Sequence, residues 1–284
     1  AMRIDGQDRY LMPGLADMHV HVWNDEEYLM FVAKGVTTVR VMAGDPRHFT
    51  IRDQIIRGEI IGPSMYIAGP PINGAEPYWV RAQTPAEARK IVAEQKAAGY
   101  DLVKIKSRLT ASVLDALIDE AEQYDLPVVG HSPLHVDFDH VLNSGIRSIE
   151  HLIGYEFALM SEDAPEIKLP WEGGWVDGWV QAWQYMDESK LPDLVEKTRQ
   201  AGVWNCPTMF IYTFIASRLP VWTIVVLTIS MPLTAGLSPP TSSSARPTAA
   251  AARDRSGSTI PPLKQSLCCS SRPARTCSTA SWNR

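Results

Sequence analysis

The chain alternates short apolar runs with segments of helical periodicity from residue 15 to residue 208, and this alternation limits the possible folds most strongly. Seven runs predict strands, namely LADMHVHV, VTTVRVMAG, SMYIAGP, DLVKIKS, PVVGHSP, IRSIEHLIG and VWNCPTM. The six segments between them carry apolar residues at helical spacing. Strands that alternate with helices predict an α/β fold with a parallel sheet. Seven such units favour a (β/α)8 barrel of the TIM type in which the eighth strand is missing.

Helix boundary signals support this repeat. Thr84, Pro85 and Glu87 have the residue types and spacing of a helix start, with a capping threonine, proline in the first turn and glutamate three residues after the cap. Four glycines each follow a helical segment and precede a strand, where a left-handed residue ends a helix at least cost. These glycines are Gly35, Gly99, Gly145 and Gly202.

Residues 217–284 break the pattern, because they are rich in Ser, Thr, Ala, Pro and Arg and follow neither period. They carry eight Lys or Arg and one acidic residue, whereas residues 1–216 carry a net charge of −12. The basic residues are scattered, which does not favour a nucleic-acid arm. Prolines interrupt the uncharged window 219–245, which does not favour a membrane span. We interpret residues 217–284 as an aberrant low-complexity tail that is disordered or read in a shifted frame.

The first ten residues and the cysteines indicate the cellular compartment of the protein. The first ten residues lack the apolar core of a signal peptide, and the four cysteines form no CxxC pair. These features favour a cytoplasmic protein without a disulfide framework or a cysteine metal site.

Residues 159–186 contain four of the nine tryptophans and interrupt the repeat. This insertion is either a wall over a pocket or an apolar segment packed on the outside of the barrel.

The first predicted strand contains a pair of candidate ligands. His19 and His21 are separated by one residue, so both side chains project from one face of the strand. In a barrel that face is the interior, and neutral imidazole is a common metal ligand. A single HxH pair is also typical of ordinary polar residues at a strand end, so it does not by itself establish a site.

Three later strands end in residues with matching chemistry. Lys104 and Lys106 lie in DLVKIKS, His131 ends PVVGHSP, and His151 ends IRSIEHLIG. In TIM-type barrels the carboxyl ends of the strands meet at the active-site mouth. A buried lysine is costly as a cation, so it needs a partner, a lowered pKa or a modification such as carbamate formation. Four histidines and one such lysine would hold two divalent ions.

Four motifs, in this order and spacing, resemble those of one family of enzymes. The segments YLMPGLADMHVHVW, GYDLVKI, PVVGHSP and SIEHLIGYE resemble the amidohydrolase superfamily of metal-dependent hydrolases, in its imidazolonepropionase-related and prolidase-like branch. The resemblance covers roughly residues 4–215. It implies that residues 15–216 form the barrel. It also implies that residues 1–14 are the end of a small β-sandwich whose other N-terminal strands lie upstream of Ala1.

The resemblance also implies roles for individual residues. His19 and His21 would bind the more buried metal, and His131 and His151 the second. Lys104, carboxylated by carbon dioxide, would bridge two divalent ions, with Zn²⁺ favoured by the ligand types. Lys106 has the same facing and is the alternative bridge.

Other polar residues near these strands receive secondary roles. Tyr155 follows the sixth strand and is expected to contact substrate, and Asp17 is expected to support His19 from the same face. Glu150 precedes His151 and is expected to face a helix. The remaining histidines are expected to be structural or on the surface, namely His48, His135 and His140.

The activity implied by the resemblance is hydrolysis of a C–N bond in an amide, a dipeptide or a cyclic amide by a metal-activated hydroxide. The family uses an aspartate of the eighth strand to move the proton, but after Asp193 the only aspartate is Asp254, in the tail. Two alternatives therefore stay open: a mononuclear imidazolonepropionase-like hydrolase, and an inactive or poorly folded fragment. The expected partner is a small amide or peptide-like molecule, without nucleic acid or membrane, and the oligomeric state is open.

Overall fold

The structure, a computed structural model, describes residues 5–6, 9–75, 80–167 and 177–210, except the side chains of residues 177–180. All of these residues lie in one of the two compact units of the chain. The described strands are β1 (Leu15–Val20), β2 (Val36–Val41), β3 (Ser64–Ile67), β4 (Ile72–Asn73), β5 (Val80–Arg81), β6 (Val103–Ile105), β7 (Val128–Gly130), β8 (Ser148–Glu150) and β9 (Trp204–Cys206). The described α-helices are α1 (Glu26–Ala33), α2 (Pro46–Ile56), α3 (Pro85–Ala98), α4 (Ala111–Gln123), α5 (Phe138–Asn143), α6 (Tyr155–Ala158), α7 (Asp177–Gln184) and α8 (Leu191–Ala201). A short 3₁₀ helix, Glu188–Lys190, precedes α8.

The strands pair in parallel, in two sheets with the orders β1-β2-β3 and β5-β4-β6-β7-β8-β9. A bridge between Ala68 and Leu102 links the end of β3 to β6, and Ile72 in β4 pairs with Ile105 in β6. Consequently β3 and β4 act as one interrupted strand, and the seven predicted strands follow one another in sequence order. This confirms an α/β fold with parallel strands. Within the described residues β1 and β9 do not pair, and an eighth strand would fall outside them.

Two apolar clusters attach the helices to these sheets. One combines buried residues of β6, β7 and β8 with those of α3 and α4, and the other combines β1, β2 and β3 with α1 and α2. Strands that are buried on both faces explain why the runs read as continuously apolar. A third cluster contains Met42, Ala68, Leu102 and Val129 from four neighbouring strands. Leu102 and Lys104 share a face of β6, so this cluster forms an apolar layer next to Lys104.

The predicted helix signals are confirmed. At the start of α3, Thr84 accepts a hydrogen bond from the amide of Glu87, and the Glu87 side chain accepts one from the amide of Thr84. Gly99 follows this helix with φ +89°, and the other three glycines also have positive φ. Helix ends are therefore the part of the local structure that the residue types specify best.

One unpredicted glycine positions a site residue. Gly130 ends β7 with φ +147°, and a Cβ at this position would collide with the carbonyl oxygen of Ile105 on the neighbouring strand. The close approach lets the amide of His131 donate to that same oxygen at 3.0 Å. This backbone hydrogen bond therefore fixes the position of His131 relative to β6.

Several expectations stay predictions, most of them because they fall on residues that the structure does not describe. Residues 9–14 lead into β1 without regular secondary structure, so the β-sandwich remnant stays a prediction. The interpretation of residues 217–284, including the window 219–245, lies outside the described residues. The same is true of residues 168–176 of the tryptophan-rich insertion. No helix in the part that the structure describes combines the length and apolarity required to cross a bilayer.

Candidate metal centre

The four predicted histidines meet at the carboxyl ends of the strands. His19 lies near the end of β1 and His21 directly after it, while His131 and His151 directly follow β7 and β8. Ring centroids are 5.2 Å apart for His19 and His21, 4.5 Å for His19 and His151, and 5.2 Å for His131 and His151. The four rings, called the imidazole cluster below, therefore form one continuous group.

The first two rings of this cluster present ring nitrogens at a spacing suited to one ion. Nε2 of His19 and Nε2 of His21 are 3.3 Å apart. Two nitrogens that bind one tetrahedral Zn²⁺ at its usual bond length lie about 3.3 Å from each other. The pair could thus ligate one ion without rearranging.

The other ring nitrogens mostly have oxygen partners. Nδ1 is within hydrogen-bond distance of an oxygen in three rings: His19 with Glu150 at 2.6 Å, His131 with Ser107 at 3.1 Å and His151 with Thr208 at 2.8 Å. In His21 the buried Nδ1 has no hydrogen-bond partner among the described residues, and the ring stacks on Trp23 with centroids 6.2 Å apart. Partners of this kind fix ring orientation in metal sites.

Lys104 is the second element of the site. Its side chain is 1% exposed, and Nζ has no hydrogen-bond partner in the described part of the chain. Burial lowers the pKa of this amine from its ordinary value to about 7, despite the opposing effect of Glu150. A buried amine without a hydrogen-bond partner lowers the stability of the folded protein. The site therefore fits a bound group that would interact with this amine.

The electrostatics keep the imidazoles neutral. Burial, followed by the charge of Lys104, lowers the pKa of His19 well below its usual range and that of His21 to about 3. Burial also lowers the pKa of His131, reinforced by Lys106, and the pKa of His151, reinforced by His19. Neutral imidazole is the form that binds metal.

Lys106 lies at the mouth next to the cluster. It directly follows β6, its amide donates to the carbonyl of Ile72 at 2.9 Å, and its side chain is only partly buried. Its ammonium is therefore closer to solvent than that of Lys104. This difference in burial favours Lys104 as the neutral, reactive amine.

The expectation that Glu150 faces a helix is wrong. Its side chain is fully buried inside the sheet, where it contacts His19 and Arg40. The strict alternation of β8 points Ser148 and Glu150 inward, as their 2.6 Å hydrogen bond indicates. His151 lies beyond the strand with φ +61°, and this left-handed turn brings its ring to the same side as Glu150. Counting alternate residues back from His151 therefore gave the wrong face.

Two other expected site residues lie differently. Asp17 accepts a hydrogen bond from the backbone amide of His19 at 3.0 Å, so it supports this residue through the main chain. The structure does not bring Tyr155 into the imidazole cluster, because its hydroxyl lies 3.1 Å from that of Thr198 and accepts from Asn205 at 3.0 Å. Its contact with substrate stays a prediction.

The remaining histidines stand apart from the cluster. His48 is buried in α2, where its ring nitrogens contact the amide of Asp45 and the carbonyl of Val22. His140 pairs with Asp115 on the surface, and His135 is exposed. These positions agree with the structural or surface roles expected from the sequence.

A second group of possible ligand atoms lies beneath the cluster. Among the described residues, atoms of His19, Glu150 and Cys206 lie within 4.8 Å of one another. Arg40 already pairs with Glu150, and burial raises the pKa of the Cys206 thiol to about 12. A cation here would face a guanidinium and a protonated thiol, so this group does not favour an ion.

A cavity of about 780 Å³ opens at the opposite ends of the strands. Its lining includes Asp101, Pro127, Arg147 and Trp204, at the amino ends of their strands, together with Arg40 and Cys206 further along, and no member of the imidazole cluster. In barrels of this type the amino ends serve stability rather than catalysis. We therefore place the candidate site at the mouth that holds the histidines.

Glu156 in α6 is a further buried acid that the sequence did not reveal. Burial raises the pKa of its carboxyl group to about 8, and Oε1 has no partner among the described residues. In the unfolded chain this group ionises near pH 4.5, so folding keeps it protonated and stability falls as the pH rises from about 4.5 to about 8.

Glu156→Gln should remove this loss. We expect the variant to be more stable than the parent by a few kcal/mol at pH 8 and by little at pH 4.5. Urea unfolding at both pH values measures the difference, with the exposed Glu162→Gln as control. An equal gain at both pH values would contradict the assignment.

Comparisons with known proteins support the fold. No protein-family model matches the chain, and no curated protein matches it. The bottromycin amidohydrolase structure is 22% identical with a TM-score of 0.53, covering 70% of this chain and 42% of that one. A Xaa-Pro dipeptidase with methionine bound in its active site is 20% identical, with a TM-score of 0.50 and coverages of 75% and 58%. The ochratoxinase of A. niger is 15% identical, with a TM-score of 0.50 and coverages of 77% and 57%.

These similarities bear on the fold and not on the activity, because all identities are low. The chain spans about half the length of the solved structures that it matches. At the level of the fold the predicted resemblance is confirmed: the described part of the chain has a fold similar to those of a bottromycin amidohydrolase and a Xaa-Pro dipeptidase.

Proposed function

We propose that this chain is a metal-dependent hydrolase that cleaves a C–N bond in a small amide or peptide-like molecule. The observation that carries the proposal is the meeting of four neutral imidazoles, two buried and two partly buried, with a buried lysine that has no hydrogen-bond partner among the described residues, all at the carboxyl ends of parallel strands. The similar fold of a bottromycin amidohydrolase and a Xaa-Pro dipeptidase favours this reaction class by analogy only, so the proposal is argued from the site.

Each member of the cluster has a role in this proposal. His19 and His21 would hold one divalent ion, and His131 and His151 would hold a second. Nitrogen ligands with one bridging carboxylate favour Zn²⁺. Bound divalent ions supply polarisation of the scissile carbonyl and lower the pKa of water. The protein contributes rings that are already neutral and oriented.

Lys104 supplies the bridge in its carboxylated form. The neutral amine attacks carbon dioxide, forms an N–C bond and releases one proton, which leaves a carbamate with two oxygens. The low pKa of the amine makes the reactive neutral form abundant near pH 7. Lys106 remains the alternative bridge, but its side chain is more exposed than that of Lys104.

Two competing functions stand beside this proposal, because the described residues hold no counterpart of the family's strand-eight aspartate. Asp17 contacts His19 through its backbone amide, and Asp193 lies on α8 and pairs with Lys197, so neither takes the place of the family's strand-eight proton carrier, whose strand would fall outside the described residues. A mononuclear hydrolase in which Lys104 bridges nothing, and a chain that binds metal without turnover, therefore stand beside the binuclear proposal.

Metal loading and turnover distinguish these functions. We expect two Zn²⁺ ions per chain after loading with bicarbonate, and hydrolysis within a panel of Xaa-Pro dipeptides and N-acyl amino acids. His131→Asn and His151→Asn should each remove one ion and lower turnover by about 100-fold or more. The matched control His140→Gln changes a surface histidine and should change neither. One ion with turnover favours the mononuclear alternative, and ions without turnover favour the inactive one.

A further inference from the structure

The carboxylate of Glu150 is the best-connected buried charge in the described residues around the cluster. Its side chain is 0% exposed, and Oε1 accepts from Nη2 of Arg40 and from the hydroxyl of Ser148, both at 2.6 Å. The other oxygen, Oε2, lies 2.6 Å from Nδ1 of His19. Arg40 is itself anchored, because its Nε donates to the carbonyl of Met18 at 2.7 Å. The carboxylate therefore has a fixed orientation.

These contacts determine where the proton of His19 resides. An ionised carboxylate paired with a guanidinium has no proton to give, so Oε2 can only accept. Nδ1 of His19 must then be the donor. A neutral imidazole carries one N–H, so Nε2 is then the unprotonated nitrogen, whose lone pair lies in the ring plane. That atom faces Nε2 of His21 at 3.3 Å.

We propose that Glu150 is a positioning residue, held by Arg40 and Ser148, that locks His19 in the Nδ1–H tautomer and so presents its Nε2 lone pair to an ion. The inference rests on the metal site of the proposed function, but it concerns a property of the metal-free protein. The hydroxyl of Ser107 can donate or accept, so it imposes no tautomer on His131, whereas the hydroxyl of Thr208 donates to the carbonyl of Cys206 at 3.3 Å and so accepts from Nδ1 of His151. Glu150 acts on the ring whose Nε2 lies next to that of His21.

The tautomer can be measured directly. Long-range ¹H–¹⁵N correlation spectra of metal-free protein with labelled histidine distinguish a protonated ring nitrogen from a bare one, and His19→Gln assigns the signal. We expect Nδ1–H in the wild type at pH 7.5. Detection of Nε2–H for His19 in the wild type would overturn the proposal, whether or not Glu150→Gln folds.

Glu150→Gln tests the cause. Arg40 and Ser148 should retain the amide oxygen, which turns the NH₂ group towards Nδ1 of His19. The ring should then change to the Nε2–H tautomer, and the affinity for Zn²⁺, measured by competition with a chelator, should fall 10- to 100-fold. An unchanged tautomer in this folded variant would refute the proposal.

Cys206→Ala is the matched control. Its thiol contacts the same carboxylate but holds neither Arg40 nor His19 in place. We expect the tautomer and the affinity for Zn²⁺ to be unchanged. A loss of affinity equal to that of Glu150→Gln would instead make His19, Glu150 and Cys206 an ion site and overturn the proposal. If the tautomers behave as expected but no amide is hydrolysed, the positioning role stands and the proposed function fails.

Discussion

Lys104→Met should abolish bicarbonate-dependent metal loading, lower hydrolysis by a factor on the order of 10³ and make the metal-free protein more stable. The activity is lost because methionine cannot form the carbamate that bridges two ions, and such a bridge supports several kcal/mol of transition-state stabilisation. Stability rises because methionine has a similar length and fills the same apolar space without an unpartnered amine.

The stability gain has a defined pH dependence. The unfolded lysine ionises near pH 10.5, whereas burial lowers the pKa of the folded one to about 7. The folded state is therefore penalised at pH values below 10.5, and the penalty grows as the pH falls until it levels off below about 7. We expect a gain of a few kcal/mol at pH 7 that shrinks to about 1 kcal/mol or less at pH 10.

Chelator-treated protein unfolded in urea at both pH values measures this gain, and Lys106→Met provides the matched control. Lys106 shares the face of Lys104 but is only partly buried, so its replacement should change stability little. If Lys106→Met, and not Lys104→Met, abolished the effect of bicarbonate on metal loading, Lys106 would be the bridge. A destabilised Lys104→Met protein would contradict the claim that the amine is unfavourable for folding alone.

The sequence predicted the strands, the helix ends and the meeting of the histidines because each depends on local patterns. Continuous apolar runs such as that around Val103 can be read without tertiary information, and so can the capping residues of α3. The carboxyl ends of parallel strands necessarily share one edge of a sheet, so residues there were expected to meet.

The residues that support the site could not be predicted from local sequence patterns. Whether Glu150 or His151 points to the inner side of β8 depends on the left-handed backbone conformation of His151. The residue type does not specify this conformation. The pairing of Arg40 with Glu150 joins residues 110 positions apart. The buried carboxyl group of Glu156 has one oxygen without a partner among the described residues. The sequence of the short helix α6 does not predict this burial.

Arg40→Met should be strongly destabilising. Arg40 and Glu150 form a buried pair with 11% and 0% side-chain exposure, and removal of the guanidinium leaves a carboxylate without its charge partner. Breaking one side of such a pair usually costs about 3–5 kcal/mol, whereas replacing both sides with apolar residues is often close to neutral. We expect Arg40→Met to cost about this amount in urea unfolding.

The double variant Arg40→Met with Glu150→Leu separates the cost of an unpaired charge from the loss of packing. It should recover at least half of the stability lost in Arg40→Met, because no charge then remains buried in the space between β2 and β8. Without Glu150, however, Nδ1 of His19 has lost the acceptor seen in this structure, so Zn²⁺ affinity should stay low while stability returns. If stability and affinity recovered together, the pair would serve folding alone. Recovery of stability without affinity would mean that the chain retains a costly buried charge because the metal centre requires it.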